Sequence, residues 1–282
     1  MIDNKIIDLG KTEQEREFYN EKAHEYSQIF LSFNTIEYYG LEKIIREGPA
    51  IISPNHVGSA KDILTLVDIF LEEDTQIFFA TREDMFNSQE WYNVCKAHLK
   101  KHLRIFSHLV PDKRVKEFAK NTGPYLERLG MIPFDIQNKK NNLKSIRAVE
   151  QYLTEYGRKV VVFQFDKEKR KTDKHSLFHG ANKGTAFMAH RVYKNHGIVV
   201  PVYPTGILGS HGLVPWDYMI TTFKRKPIRV SFGDPLEITS YLNEKNPVKA
   251  MTSALDASIW RTLVDLSKNK KQGKIIYPAL PR

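Results

Sequence analysis

Apolar and polar positions alternate along this chain in two rhythms. Short, near-continuous apolar runs occur at TIEYYG (35 to 40), AIIS (50 to 53), QIFFAT (76 to 81), MIPF (131 to 134), VVVF (160 to 163) and IVVPVY (198 to 203). Between them, DILTLVDIFL (62 to 71) and residues 143 to 156 and 183 to 195 carry apolar residues at helical spacing. Uniformly apolar strands separated by helices are buried on both faces, which is the signature of a mostly parallel sheet covered by helices. PIRVSFG (227 to 233) alternates like a further strand, and Val248, Met251, Leu255, Ile259 and Leu263 mark one stripe of a helix over 247 to 266. A polar tail follows.

Before the first strand, Thr12 and Glu15 stand at capping-box spacing, and Tyr19, Ala23, Tyr26, Phe30 and Phe33 recur at three and four residues. An amphipathic N-terminal helix is expected there. No repeat, low-complexity linker or break in composition divides the 282 residues. The pattern therefore predicts a single α/β domain over 1–282, with a mostly parallel central sheet flanked by helices and a helical insertion at about residues 83 to 128.

Composition narrows the partners. Lys and Arg number 43 against 33 Asp and Glu, a net charge of +10, which favours an anionic partner such as nucleic acid, anionic lipid or a phosphorylated or CoA-type substrate. The chain has no zinc finger, RNA-recognition signature or strand interleaving aromatic and basic residues, so nucleic acid is not expected. One cysteine, Cys95, excludes an internal disulfide framework and a multi-cysteine zinc site. His98 and His102 are four apart but lack a third ligand, so no metal is expected. No run approaches 18 apolar residues, and the first 17 residues show no secretory pattern, so a cytoplasmic location is the expectation.

The segment richest in chemistry is Ser53-Pro54-Asn55-His56-Val57-Gly58-Ser59-Ala60-Lys61-Asp62, which leaves a buried strand and enters a helix. Ligands of open α/β sheets gather at that carboxyl end. A histidine there with a carboxylate in reach has the parts of a general base: the imidazole takes a proton from a hydroxyl, and the carboxylate fixes its tautomer and stabilises the imidazolium. His56 and Asp62 fit those roles. Ser59 and Asp62 also fit a capping box, with Asp62 favourably placed at the helix N-terminus.

In order along the chain, these blocks resemble the glycerolipid (lysophosphatidate-type) acyltransferase family. "SPNHVGSAKDIL" looks like the family's Asn-His block with its downstream Asp, and "FFATREDMF" (78 to 86) is similar to the segment after its second strand. "GMIPFDI" (130 to 136), "VVVF" (160 to 163) and "VVPVYPTG" (199 to 206) resemble its second, third and fourth motifs. "PIRVSFGDPLEI" (227 to 238) resembles its closing strand and Gly-acid-Pro turn, so the likeness covers about residues 38 to 238.

The resemblance implies transfer of a fatty acyl group from acyl-CoA or acyl carrier protein to the hydroxyl of a lysophospholipid, with 1-acylglycerol-3-phosphate the leading acceptor. It implies His56 as base, Asp62 as its partner, a contact from Asn55, no cofactor or metal, and no covalent enzyme intermediate.

Three positions depart from the family's pattern. Five residues separate His56 from Asp62 rather than four, a turn of about 100° if all were helix. Ile136 stands where the family has a phosphate-binding Arg, with Lys139 and Lys140 nearby. The third motif, Phe-Pro-Glu-Gly-Thr-Arg in the family, reads Phe163-Gln164-Phe165-Asp166-Lys167-Glu168-Lys169-Arg170, leaving Glu168 and Arg170 as the replacements. Lys183, in a Lys-Gly-Thr-Ala stretch similar to one beyond the third motif, is a further phosphate or CoA ligand.

Acylation of another lipid or glycolipid hydroxyl, or lipid and acyl binding with weakened catalysis, are the alternative readings. Trp91, Val94, Cys95, His98, Leu99, His102, Leu103 and Phe106 fall on one helical face with Lys96, Lys100, Lys101 and Arg104 elsewhere. Such a basic amphipathic helix is expected either to lie on an anionic membrane surface or to pack its apolar face on the domain.

Overall fold

A computed structural model describes residues 17, 21–22, 25, 35–56, 60–73, 75–103, 110–135, 142–164, 178, 180–210, 227–268 and 274–276. Two compact units partition the chain: Met1–Tyr19 with Phe78–Val149, and Asn20–Ile77 with Glu150–Arg282. The fold is mixed α/β, with a mostly parallel sheet flanked by helices.

In the second unit, six strands lie in the order β5-β2-β6-β7-β1-β8. They are β1 (Ile36–Tyr39), β2 (Ala50–Pro54), β5 (Lys159–Val162), β6 (Val202–Leu208), β7 (Ile228–Phe232) and β8 (Lys274–Ile276). β2 runs parallel to both neighbours, with Ile52 opposite Val161 of β5 and Tyr203 of β6. β7 is antiparallel to β6 and parallel to β1. Every residue of β2 and of β6 is buried, the polar Ser53 and Thr205 included, as befits strands at the centre of a covered sheet.

Helix α1 (Ala60–Leu71) buries Leu66, Ile69 and Phe70, and the Phe70 ring meets Phe232 of β7 edge-on with centroids 5.9 Å apart. Helix α5 (Lys183–His196) and helix α6 (Pro247–Lys268) pack on each other and on β6. Met251, Leu255, Ile259 and Leu263 form the buried stripe of α6 that their spacing predicts, while Val248 at its start is only half-buried. The close approach of α6 to β6 needs Gly206, because a Cβ there would sit 2.7 Å from Thr262 Oγ1.

In the first unit, β3 (Ile77–Arg82) pairs in parallel with β4 (Ile132–Phe134). The 83–128 segment holds two helices, α2 (Ser88–Leu103) and α3 (Asp112–Arg128), packed against each other. Asp112 pins them, accepting from Tyr92 Oη at 2.7 Å and pairing with Lys96 at 2.6 Å and Lys116 at 3.4 Å. Trp91, Val94, Cys95 and Leu99 are half-buried, while Lys96 and Lys100 are exposed. Helix α4 (Leu143–Thr154) spans the junction of the two units. No helix among the described residues is long and apolar enough to cross a membrane.

Two expectations are corrected. The strand expected at 198 to 203 begins only at Val202 and continues to Leu208, because partners on both sides, β2 and β7, rather than the hydropathy of Ile198–Val200, define where the ladder forms. The segment expected as a polar tail supplies an edge strand, β8, antiparallel to β1: the short Lys274-Ile275-Ile276 strand lies among polar neighbours that mask it in the hydropathy pattern. Of the N-terminal helix, only Glu17, Glu21, Lys22 and Glu25 are among the described residues; they are helical, and Lys22 pairs with Glu25 at 2.7 Å.

Candidate active site

Strand β2 delivers the site. Its ladder ends at Pro54, and one further bridge joins Asn55 to Gln164 just beyond β5. Asn55 is fully buried, and its side chain spans to β6: Nδ2 donates to Ile207 O at 3.1 Å, and Oδ1 accepts from Ile207 N–H at 2.6 Å. A short carboxamide that satisfies a neighbouring strand's backbone in both directions replaces two ladder bonds where the strand gives out. The next residue, His56, is thereby set at the carboxyl end of the central strand, and its side chain remains 22% exposed.

Asp62 lies in the first turn of α1 and is 0% exposed. Its Oδ2 stands 2.8 Å from His56 Nδ1, so the five intervening residues do not keep the pair apart. The geometry suits the tautomer in which Nδ1–H donates to the Asp62 carboxylate, which would leave the lone pair on Nε2. Among the described residues, Asp62 Oδ1 has no hydrogen-bond partner, and neither does the hydroxyl of Thr65, one turn further along α1 and also buried. The Phe163 ring packs against the imidazole, with centroids 4.6 Å apart and planes at 41°.

Beneath this pair lies a buried polar cluster that the sequence reading did not single out. Gln164, 1% exposed, donates from Nε2 to Ser53 Oγ and Thr185 Oγ1, both at 2.7 Å, and approaches Val162 O at 3.1 Å. Its Oε1 accepts from Asn182 N–H at 2.8 Å, and its own N–H donates to Pro54 O at 2.8 Å. Asn182 caps α5 by accepting from Gly184 N–H at 2.9 Å. The only sequence signal for Gln164 was a polar residue closing an apolar run.

Lys183 opens α5 next to that cap and is exposed, at the same carboxyl end of the sheet as His56. Glu168 and Arg170 lie outside the described residues, as do Ile136, Lys139 and Lys140. Among the described residues, no group of three His, Cys, Asp or Glu side chains could hold a metal ion. Burial pushes the Cys95 thiol above its ordinary pKa, which keeps it protonated and weakly nucleophilic at neutral pH.

No protein-family model and no curated protein matches this chain. A solved structure does. The 1-acyl-sn-glycerophosphate (LPA) acyltransferase PlsC from Thermotoga maritima is similar in fold, with a TM-score of 0.50 over 90% of this chain and 82% of that one. The two share this fold. Sequence identity between them is 16%, so the likeness concerns the arrangement of strands and helices rather than individual side chains.

Proposed function

We propose that this protein is an acyltransferase that moves a fatty acyl group from an acyl thioester, acyl-CoA or acyl carrier protein, to a lipid hydroxyl. The observation that carries this reading is the 2.8 Å contact of His56 Nδ1 with the buried Asp62 carboxylate, at the strand end where the fold gathers ligands. The fold shared with an LPA acyltransferase supports the same reaction class.

His56 Nε2 takes the acceptor hydroxyl proton while Asp62 stabilises the imidazolium. The alkoxide attacks the thioester carbonyl carbon, and the resulting tetrahedral oxyanion collapses with cleavage of the C–S bond. The thiolate leaves and recovers the proton from His56, so the acyl ester and free thiol are formed with the enzyme unchanged. General acid–base catalysis of this kind contributes roughly 10²- to 10⁴-fold. The step consumes no cofactor and needs no metal.

The acceptor we infer is a lysophospholipid, with 1-acylglycerol-3-phosphate first, its phosphate met by Lys183 and Arg170 and the hydroxyl-bearing glycerol end by Glu168 of the rewritten third motif. Asn55 serves the site by holding the His56 backbone to β6. The enzyme works at an anionic membrane face on the cytoplasmic side, to which its net charge of +10 suits it. A second reading is favoured by the replacement of the family's phosphate-binding Arg by Ile136 and by the altered third motif. In it, the same chemistry acylates another lipid or glycolipid hydroxyl.

Thiol release from a long-chain acyl-CoA, measured with lysophosphatidate, lysophosphatidylcholine or no acceptor, tests both. Acceptor-dependent release that collapses in His56→Ala is expected. Acyl-CoA or liposome binding by both proteins without thiol release would replace acyl transfer by lipid binding.

A further inference from the structure

Gln164 has more polar partners than its position demands. It sits where β5 ends, buried with Ser53 and Thr185, at a place where an apolar side chain would cost nothing in desolvation. Its carboxamide orientation is fixed by chemistry: Asn182 N–H can only donate, so Oε1 faces it, and Nε2 must face the two hydroxyls. One side chain therefore ties three pieces of backbone, namely β2 at Ser53, the exit of β5, and the cap and first turn of α5.

Two of those pieces bear on His56. Ser53 is three residues before it on β2, and Gln164 N–H holds Pro54 O, two residues before it. Phe163, whose ring lies against the imidazole, directly precedes Gln164. The family motif resembled here has proline at this position, which can supply neither the N–H nor the carboxamide.

We propose that Gln164 is a positioning residue: it locks the ends of β2 and β5 together so that the His56 ring is held between the Asp62 carboxylate and the Phe163 ring. The proposal rests on the acyl-transfer reading, in which His56 is the base. Misplacing a base by about 1 Å costs on the order of 10²-fold in rate, so a hub that fixes two strand ends matters to catalysis without touching the substrate.

The test uses the full chain. Gln164→Met keeps the volume and removes every side-chain hydrogen bond. Gln164→Met is expected to lower kcat roughly 10- to 100-fold, with KM for acyl-CoA changed by less than about twofold. In a His56→Ala background Gln164→Met should cost nothing further, because its effect runs through His56. The same loss in both backgrounds would make Gln164 merely structural and overturn the proposal. Ser53→Ala, which removes one hydroxyl partner, carries the same expectation in smaller size should Gln164→Met not fold.

A readout independent of turnover is the downfield proton resonance of His56 Nδ1–H, identified by its loss in His56→Ala. It should shift or broaden in Gln164→Met and stay in place in Glu150→Gln, which disturbs a different buried cluster. An unmoved resonance in Gln164→Met overturns the positioning role. A shifted resonance in a protein that releases no thiol sustains the positioning role and removes the acyl-transfer reading instead.

Discussion

Two buried carboxylates in this protein are treated in opposite ways. Glu150 of α4 has every oxygen occupied: Oε2 accepts from Arg191 Nε at 2.8 Å, and Oε1 from Asn195 Nδ2 at 2.7 Å and His196 Nε2 at 3.0 Å. Asp62 of α1 is more deeply buried and has His56 on one oxygen and, among the described residues, no partner on the other. Burying a charge costs several kcal/mol unless partners compensate it. Glu150 is compensated in the resting fold, by three donors from the last turns of one helix, and it joins α4 to α5. On the proposed acyl-transfer reading, Asp62 gains its full counter-charge when His56 takes up the acceptor's proton. Glu150, with both oxygens satisfied, ties two helices together, whereas Asp62 faces an imidazole that is 22% exposed and open to the proposed base chemistry.

Substitutions that separate these roles should differ in which quantity they move. The largest effect belongs to Asp62→Asn, which preserves shape while removing the charge and the tautomer preference. Thiol release per folded molecule should drop roughly 10²- to 10⁴-fold, with stability unchanged or raised. A loss of folding instead of activity would reduce Asp62 to a structural carboxylate like Glu150.

Next, Glu150→Gln should lower stability by about 2 kcal/mol in a urea melt, since hydrogen bonds to a charged group are weakened or lost, with kcat unaltered. A fall in kcat at full stability would erase the contrast. Acidification gives a third, smaller test. Burial alone would push the Glu150 carboxyl up, but hydrogen bonds from Asn195, Arg191 and His196 outweigh it and hold the carboxyl below its ordinary pKa. A carboxylate depressed in the folded state stabilises the fold above its unfolded pKa, and that contribution is lost as pH falls through the folded value. Wild type should therefore lose stability below the ordinary glutamate range more steeply than Glu150→Gln, as read from melts at stepped pH.

The smallest effect is at Thr65, whose buried hydroxyl, one turn from Asp62, has no partner among the described residues. Thr65→Val should be neutral or stabilising by less than about 1 kcal/mol, because a buried unsatisfied hydroxyl contributes nothing. A clear loss of kcat in that variant would show that the hydroxyl serves Asp62.

Much of this contrast was legible in the residues. The step from a buried strand into Asn-His, with a carboxylate in the following helix, pointed to His56 and Asp62 before any coordinates. Helical spacing likewise identified α6 and its buried stripe. Glu150 and Gln164 carried no such signal, because the partners that join them to other elements lie 41 and 18 residues or more away in the chain. Lys183 could be named but not given a contact. The N-terminal stripe and the basic loop at Glu168 and Arg170 fall largely or wholly outside the described residues.

The sequence by itself determined the local facts: apolar runs too continuous for a half-wet sheet, helices spaced between them, a net positive charge, and an imidazole at a strand end. Hydrophobic period and residue chemistry are local, and they survive without knowledge of neighbours. Only the tertiary structure decided that β6 starts at Val202, that the polar tail contributes β8, and that His56 and Asp62 meet at 2.8 Å despite the longer spacing. It alone brought Ser53, Gln164, Asn182 and Thr185 together under the pair. Strand pairing and buried hydrogen bonds depend on which distant segments the packed sheet brings side by side, and that choice belongs to the fold as a whole.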